Sequence, residues 1–147
     1  MRFGFRQQKN EEKLILFVCV ENAGRSQMAE GFFNKYAPKG YRAVSAGTRP
    51  TSQINHLAIQ AMKEEGIDIS HQKPKIIDDD MIRNSVKAVN MGCMDQSECP
   101  MLFMGNVIDW GIEDPKGKPI EKVRQIRDDI EKRVREIAET LEKSNNS

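Results

Sequence analysis

The apolar run Leu14-Ile15-Leu16-Phe17-Val18 shows no alternation with polar residues. A strand with one wet face would alternate, so this run predicts a strand buried on both faces, as in a parallel sheet. Downstream the period changes. Met28, Phe32 and Tyr36 recur at i, i+4 and i+8, with Ala29 and Phe33 beside them, which predicts an amphipathic helix over residues 26–36. Pro38 and Gly40 end it. Residues 41–45 read as a second strand, closed by Ala46-Gly47 and the turn-forming Arg49-Pro50. Leu57, Ile59, Ala61 and Met62 predict a helix over residues 55–65, with Gly66 placed as its C-terminal cap.

Shorter elements follow. Asp68-Ile69-Ser70 reads as a short extended piece. Residues 78–84 form one or two helical turns, where three successive aspartates suit the positive end of the helix dipole. Val86, Ala88 and Val89 mark a third strand over residues 85–91, and residues 107–110 a short fourth. From Pro119 onward, Val123, Ile126, Ile130, Val134, Ile137 and Leu141 advance by three or four, the signature of a long final helix. Strands alternating with helices imply an α/β fold: a single domain with a four-stranded parallel sheet and helices on both faces. The domain is expected over residues 13–143, after a polar lead-in of residues 1–12 and before a frayed tail of residues 144–147.

Composition narrows the function. A chain of 147 residues suffices for one domain with a real core, and a net charge of +1 gives no global pull toward nucleic acid or membrane. No apolar run approaches the roughly 18 residues of a membrane span, and the N-terminal residues lack the apolar core of a secretory signal. A cytoplasmic monomer is the expectation. Three cysteines are too few for a stapled secreted scaffold and point to a reactive thiol. Neither His56 nor His71 lies near Cys93 and Cys99, so no zinc site, and no bound metal of any kind, is expected.

The chemistry concentrates where the first strand ends. Cys19 is followed by Val20, Glu21, Asn22, Ala23 and Gly24, then Arg25 and Ser26. A thiol at a strand end, a short loop and a helix start make a cradle for a tetrahedral oxyanion, with loop N–H groups and the arginine fork as donors. The same positive field holds Cys19 as a nucleophilic thiolate. Cys-x5-Arg alone recurs by chance in roughly one chain in five of this composition, so position between strand and helix carries the inference. Asp114-Pro115, just beyond the fourth strand, supplies a carboxylic acid able to protonate a leaving oxygen, provided burial or the thiolate keeps it protonated. Cys93 and Cys99, six apart in a polar stretch ending at Pro100, suit a disulfide that forms and breaks.

Taken together these segments resemble the low-molecular-weight protein tyrosine phosphatase superfamily, and within it the thioredoxin-coupled arsenate reductases. The resemblance is carried by Cys19…Asn22…Arg25-Ser26-Gln27-Met28-Ala29-Glu30-Gly31, Ser45-Ala46-Gly47, Ala61-Met62-Lys63-Glu64, Ile67-Asp68-Ile69-Ser70, Cys93…Cys99-Pro100, Trp110-Gly111 and Asp114-Pro115-Lys116-Gly117-Lys118. It spans residues 14 to about 130. The resemblance implies that arsenate, with phosphate or sulfate as analogues, sits in the loop of residues 20–26. Ser26 hydrogen-bonds the Cys19 thiolate, Asn22 shapes the loop and Asp114 acts as the acid. It further implies a relay in which Cys93 attacks Cys19, Cys99 attacks Cys93, and external thioredoxin reduces the Cys93–Cys99 disulfide. A glutaredoxin-like donor would leave the same residues in place, and no prosthetic group is implied.

Three departures from the family pattern stand out. Glu21 puts a negative charge beside an anion site and is expected to point outward. The step from Cys93 to Cys99 is one residue shorter than in the best-known pattern. Some relatives hold potassium through Asn, Glu, Ser and a distal Asp; Asn22, Glu30 and Ser45 match, but Pro74-Lys75 stands at the distal position, where a lysine repels a cation. The alternative reading is a plain phosphatase working through a phosphocysteine, although Lys116-Gly117-Lys118 replaces the aromatic residues that would sandwich a phenyl ring.

Overall fold

The computed structural model describes residues 12–92, 97–105 and 107–145. Four strands, β1 (Lys13–Cys19), β2 (Tyr41–Gly47), β3 (Ser85–Asn90) and β4 (Val107–Asp109), form one sheet in the order β2-β1-β3-β4, with every pairing parallel. Among the described residues, four α-helices accompany it: α1 (Arg25–Tyr36), α2 (His56–Lys63), α3 (Asp79–Asn84) and α4 (Ile120–Asn145). This is the α/β parallel-sheet architecture that the pattern of apolar runs implies.

Strand β1 is central, and its residues sort by parity. Ile15, Phe17 and Cys19 face the layer made by α1, α2 and α4, where they meet Phe32, Phe33, Met62 and Ile130. Leu16 and Val18 face the other side, with Ala46, Ala88, Leu102 and residues of α3. Both faces are therefore dry, which is why the run does not alternate. Ile15, Leu16, Phe17 and Val18 are all fully buried. Burying side chains of this size contributes roughly 1.5–3 kcal/mol each before conformational entropy is charged against it. Phe17 also contacts Phe33 and Trp110 in tilted ring pairs, with centroids 6.2 and 5.9 Å apart.

Helix α1 departs from a simple amphipathic helix. Its first turn, Arg25, Ser26 and Gln27, is buried along with the apolar Met28 and Ala29. Polar residues there are buried because the turn lies beneath the loop it follows. Helix α2 starts one residue later than expected, with Asn55 as its cap: Asn55 Oδ1 accepts from the N–H groups of Leu57 and Ala58. Arg127, inside the apolar stripe of α4, ties that helix to α2 by donating to Ala61 O and to Glu64 at 2.9 and 2.7 Å. Arg124 adds a two-pronged pair to the same carboxylate.

Two segments differ in detail from the sequence pattern. Residues 68–70 join no strand: Asp68 Oδ1 accepts from both the N–H and the hydroxyl of Ser70, closing a turn beside the fully buried Ile69. Helix α4 continues through Ser144 and Asn145, into the segment expected to fray, because Ser144 Oγ bonds Thr140 O and Asn145 Nδ2 bonds Lys39 O. Most of the expected lead-in, residues 1–11, and the last two residues lie outside the described residues. Among the described residues, no helix is long and apolar enough to cross a membrane.

The strand order creates a specific crevice. From β1 the chain crosses through α1 to β2 on one side, whereas β3 lies on the other side of β1. The direction of winding reverses between β1 and β3, and such switch points open a cleft at the carboxyl ends of the strands. Cys19 is the last residue of β1.

Candidate active site

Beyond Cys19 the chain turns sharply and enters α1 at Arg25. Asn22 lies in the left-handed region at φ 51, a conformation asparagine tolerates better than most residues. Gly24 precedes the helix and no side chain caps it, so the first-turn amides are not covered by a capping group. Strand β2 ends against this loop. A Cβ on Gly47 would come 2.4 Å from Val20 O and 2.7 Å from Cys19 O, so only glycine allows that approach. Gly47 also accepts from Ile77 N and donates to Lys75 O, which pins residues 75–77 beside the loop.

The Cys19 sulfur receives two short contacts. Ser26 Oγ lies 2.9 Å away and the Asn22 N–H donates at 3.2 Å. Ser26 Oγ is thereby within hydrogen-bond reach of the sulfur, the contact that the family resemblance implies for it. Cys19 is almost fully buried and stands at the floor of a pocket of about 720 Å³. Val20, Glu21, Ala23, Gly24 and Arg25 line that pocket, as do Asp114 and Pro115. Asn22 and Ser26 do not: both are fully buried beneath the loop, where they hold it and the sulfur. The loop predicted to bind the oxyanion thus divides into residues that face the cavity and residues that brace it.

Arg25 is buried and bridges to the opposite wall. Its Nη1 donates to Ile112 O at 2.7 Å, and its Nη2 lies 3.7 Å from Asp114 Oδ2. The wall is itself fixed to the sheet, since Trp110 N bonds Asn90 O and Ile112 N bonds Met91 O. Pro115 packs closely over Gly24, 3.0 Å from where a Cβ would stand. The sequence expectation placed burial among the means of keeping Asp114 protonated. The Asp114 side chain is 55% exposed and beside a guanidinium, so burial does not do this.

Glu113, the residue before it, is turned elsewhere. A hydrogen bond from Lys122, assisted by Lys118 and only partly opposed by desolvation, holds its carboxyl below the usual range. It does not line the pocket. Asp114 is therefore the better placed acid of the two. Glu21, on the pocket lining, holds its carboxylate 3.2 Å from Lys116 Nζ, which lines the same pocket.

The third cysteine lies apart from the first. Cys99 is partly buried against the cluster on the second face of the sheet, and it is not a pocket residue. Its neighbour Glu98 is, and it reaches the loop after β2 through Thr48 Oγ1 at 3.5 Å and Arg49 at 3.9 Å. Cys93 falls outside the described residues. At the position where some relatives carry an aspartate, the Lys75 ammonium lies 3.7 Å from Glu30 Oε1, which also accepts from Ser45 Oγ at 2.6 Å. Among the described residues, no group of three or more His, Cys, Asp and Glu side chains gathers into a metal site.

A cysteine at a strand end, an arginine in the following helix turn and an aspartate across the cleft share one pocket on a parallel α/β sheet. Residues 14–147 match the low molecular weight phosphotyrosine protein phosphatase family, and the chain belongs to it. Among curated relatives, an arsenate reductase of Staphylococcus haemolyticus is 40% identical over 133 residues, covering 89% of this chain and 98% of its own. Among solved structures, a thioredoxin-dependent arsenate reductase of Corynebacterium glutamicum is 34% identical, with a TM-score of 0.77 over 97% of this chain and 68% of that one. An arginine phosphatase from Geobacillus stearothermophilus has a TM-score of 0.81 at 27% identity, over 90% and 94% of the two chains.

Proposed function

We propose that this protein reduces arsenate to arsenite, with Cys19 as nucleophile and Cys93 and Cys99 as a disulfide relay. The observation that carries the first half is the Cys19 sulfur, held at 2.9 Å from Ser26 Oγ and 3.2 Å from Asn22 N on the floor of the pocket. What supports the second half is the presence of two further cysteines in a chain about 40% identical to arsenate reductases.

The steps balance as follows. The Cys19 thiolate bonds to arsenic and an arsenate oxygen leaves as water, taking a proton from Asp114. The Cys93 thiolate then attacks the Cys19 sulfur. A sulfur–sulfur bond forms, the sulfur–arsenic bond breaks, and its electron pair stays on arsenic, which departs as arsenite. Two thiols have been oxidised and arsenic has gained two electrons. Cys99 attacks Cys93, freeing Cys19 and leaving a Cys93–Cys99 disulfide for an external dithiol, thioredoxin in this reading. Arsenate, or phosphate in its place, is bound by the arginine and the loop, and the protein works as a monomer in the cytoplasm.

Hydrolysis of phosphate esters is the second reading, favoured by one observation. The pocket is of the size that takes a drug-sized ligand, more than a single tetrahedral ion needs. Among the described residues its lining has no Phe, Tyr or Trp, however, and Lys116 and Lys118 occupy the rim after Asp114-Pro115. That suits a small anion better than an aryl ester.

Asp114→Asn tests the assignment of the acid. Steady-state assays with arsenate are expected to show kcat falling by about 10²- to 10⁴-fold, with KM changed far less, because the proton is needed only as the oxygen leaves. An equal loss in both constants would mean that Asp114 serves binding or the turn alone.

A further inference from the structure

Beneath the loop, a row of side-chain amides runs away from the sulfur. We propose that Gln27 and Gln72 are positioning residues for Cys19, acting through Asn22 and Ser26 as a one-directional chain of hydrogen bonds that ends on the sulfur. This rests on Cys19 being the nucleophile and adds two residues to the machinery that prepares it.

The direction of the chain follows from backbone groups, each of which is only a donor or only an acceptor. The Lys75 N–H can only donate, and it lies 2.9 Å from Asn22 Oδ1. That fixes the oxygen of Asn22, so its NH2 group is the one facing Ser26 Oγ at 2.7 Å. The carbonyl of Asn22 can only accept, and Gln27 Nε2 lies 3.0 Å from it as well as 3.0 Å from Asn22 Oδ1. The carbonyl of Gln27 likewise accepts from Gln72 Nε2 at 3.1 Å, and the same nitrogen donates to Gln27 Oε1 at 2.7 Å. No amide in the row is free to flip without setting two donors or two acceptors face to face.

Reading from the far end, Gln72 donates to Gln27, Gln27 to Asn22, Asn22 to Ser26. Ser26 Oγ has one hydrogen and two lone pairs, one of them engaged by Asn22. Against a Cys19 thiolate, which has no hydrogen to give, the hydroxyl is the donor, 2.9 Å from Sγ. Gln27, Asn22 and Ser26 are all fully buried, so water does not compete for these bonds. In such surroundings each donor polarises the next, and the last one meets an anion. The row also holds Asn22 at its positive φ, keeping its own N–H on the sulfur at 3.2 Å. Gln72 reaches this row from a partly exposed turn between α2 and α3, well outside the pocket lining.

The test is the alkylation of Cys19 by iodoacetamide, followed in a Cys93→Ser, Cys99→Ser background so that one thiol reports. Gln27→Glu keeps the shape but, when ionised, has no hydrogen to give Asn22; Gln72→Met removes the outermost donor without placing a charge in the core. At about pH 6.5, the rate is expected to fall about five- to tenfold in Gln27→Glu and about two- to threefold in Gln72→Met, while at about pH 10, where the thiol ionises unaided, both match the parent. Equal losses at both pH values would reduce the two glutamines to a structural role and overturn the proposal, as would no change at either. A parent protein whose Cys19 fails to alkylate across the range would instead remove the proposed nucleophile itself. Gln72→Met keeps the test decisive if a buried glutamate prevents folding.

Discussion

Cys19→Ser is expected to abolish arsenate reduction and phosphate-ester cleavage together, by about 10⁴-fold or more, the scale seen when a covalent nucleophile is removed. A serine hydroxyl at this position stays un-ionised at neutral pH. The two donors that stabilise a sulfur anion, Ser26 Oγ and the Asn22 N–H, then face a neutral group with nothing to stabilise. Arg25 and the loop are unaltered, so the variant should still bind arsenate or phosphate. Calorimetric titration with phosphate alongside both activity assays checks the split: binding kept and both activities gone. Loss of binding as well would mean that the loop had collapsed, and retained activity would move the chemistry to another residue.

Cys93→Ser and Cys99→Ser carry the second large effect, and they divide the two reactions. Ester cleavage through a phosphocysteine ends with water and needs neither thiol. Arsenate turnover needs both. Each variant is expected to lose continuous arsenate turnover with thioredoxin while cleaving an aryl phosphate as the parent does. The two differ in a single turnover. Cys99→Ser still releases arsenite, because Cys93 can resolve the arsenic adduct, and it stops as a Cys19–Cys93 disulfide. Cys93→Ser releases none. Quenched samples analysed by mass spectrometry for the disulfide and for free arsenite distinguish these outcomes.

Much of this was legible in the chain before any coordinates. The unbroken run at Leu14–Val18 marked a strand buried on both faces, and β1 is central with both faces dry. Its position just before Cys19 and Arg25 located the anion loop, because a strand end followed by a helix start leaves few places for the intervening amides to point. Less legible was everything that depends on segments distant in sequence. Gln27 carried no expected role, yet the helix turns it under the loop, where its partner Gln72 arrives from 45 residues away and the Lys75 N–H reaches Asn22 from 53. The signal available was a glutamine placed directly before Met28 and Ala29, where a buried face was already expected. Of the two conditions named for Asp114, burial or the thiolate, burial is not met, because its side chain is exposed. Asp-Pro marks a turn, and a turn tip at the pocket rim stays in water unless another element covers it. Arg127 was missed because the apolar stripe of α4 gives no hint that α2 ends beside it with a carbonyl and a carboxylate to spare for a guanidinium.

The residues around Cys19 suit either chemistry. The oxyanion, the sulfur and the arginine are common to ester cleavage and arsenate reduction, so nothing around Cys19 separates them. The separation lies in what happens to the sulfur adduct afterwards. Glu98, joined to Thr48 and Arg49 at the pocket, holds one end of the cysteine-bearing segment at the mouth of the site.

The most direct measurement is a count of products from the fully reduced protein mixed with arsenate and no external reductant. The relay predicts one arsenite per chain, with titratable thiols in the unfolded, quenched protein falling from three to one. No arsenite with all three thiols intact, from protein that cleaves an aryl phosphate in parallel, would contradict it and leave a phosphatase.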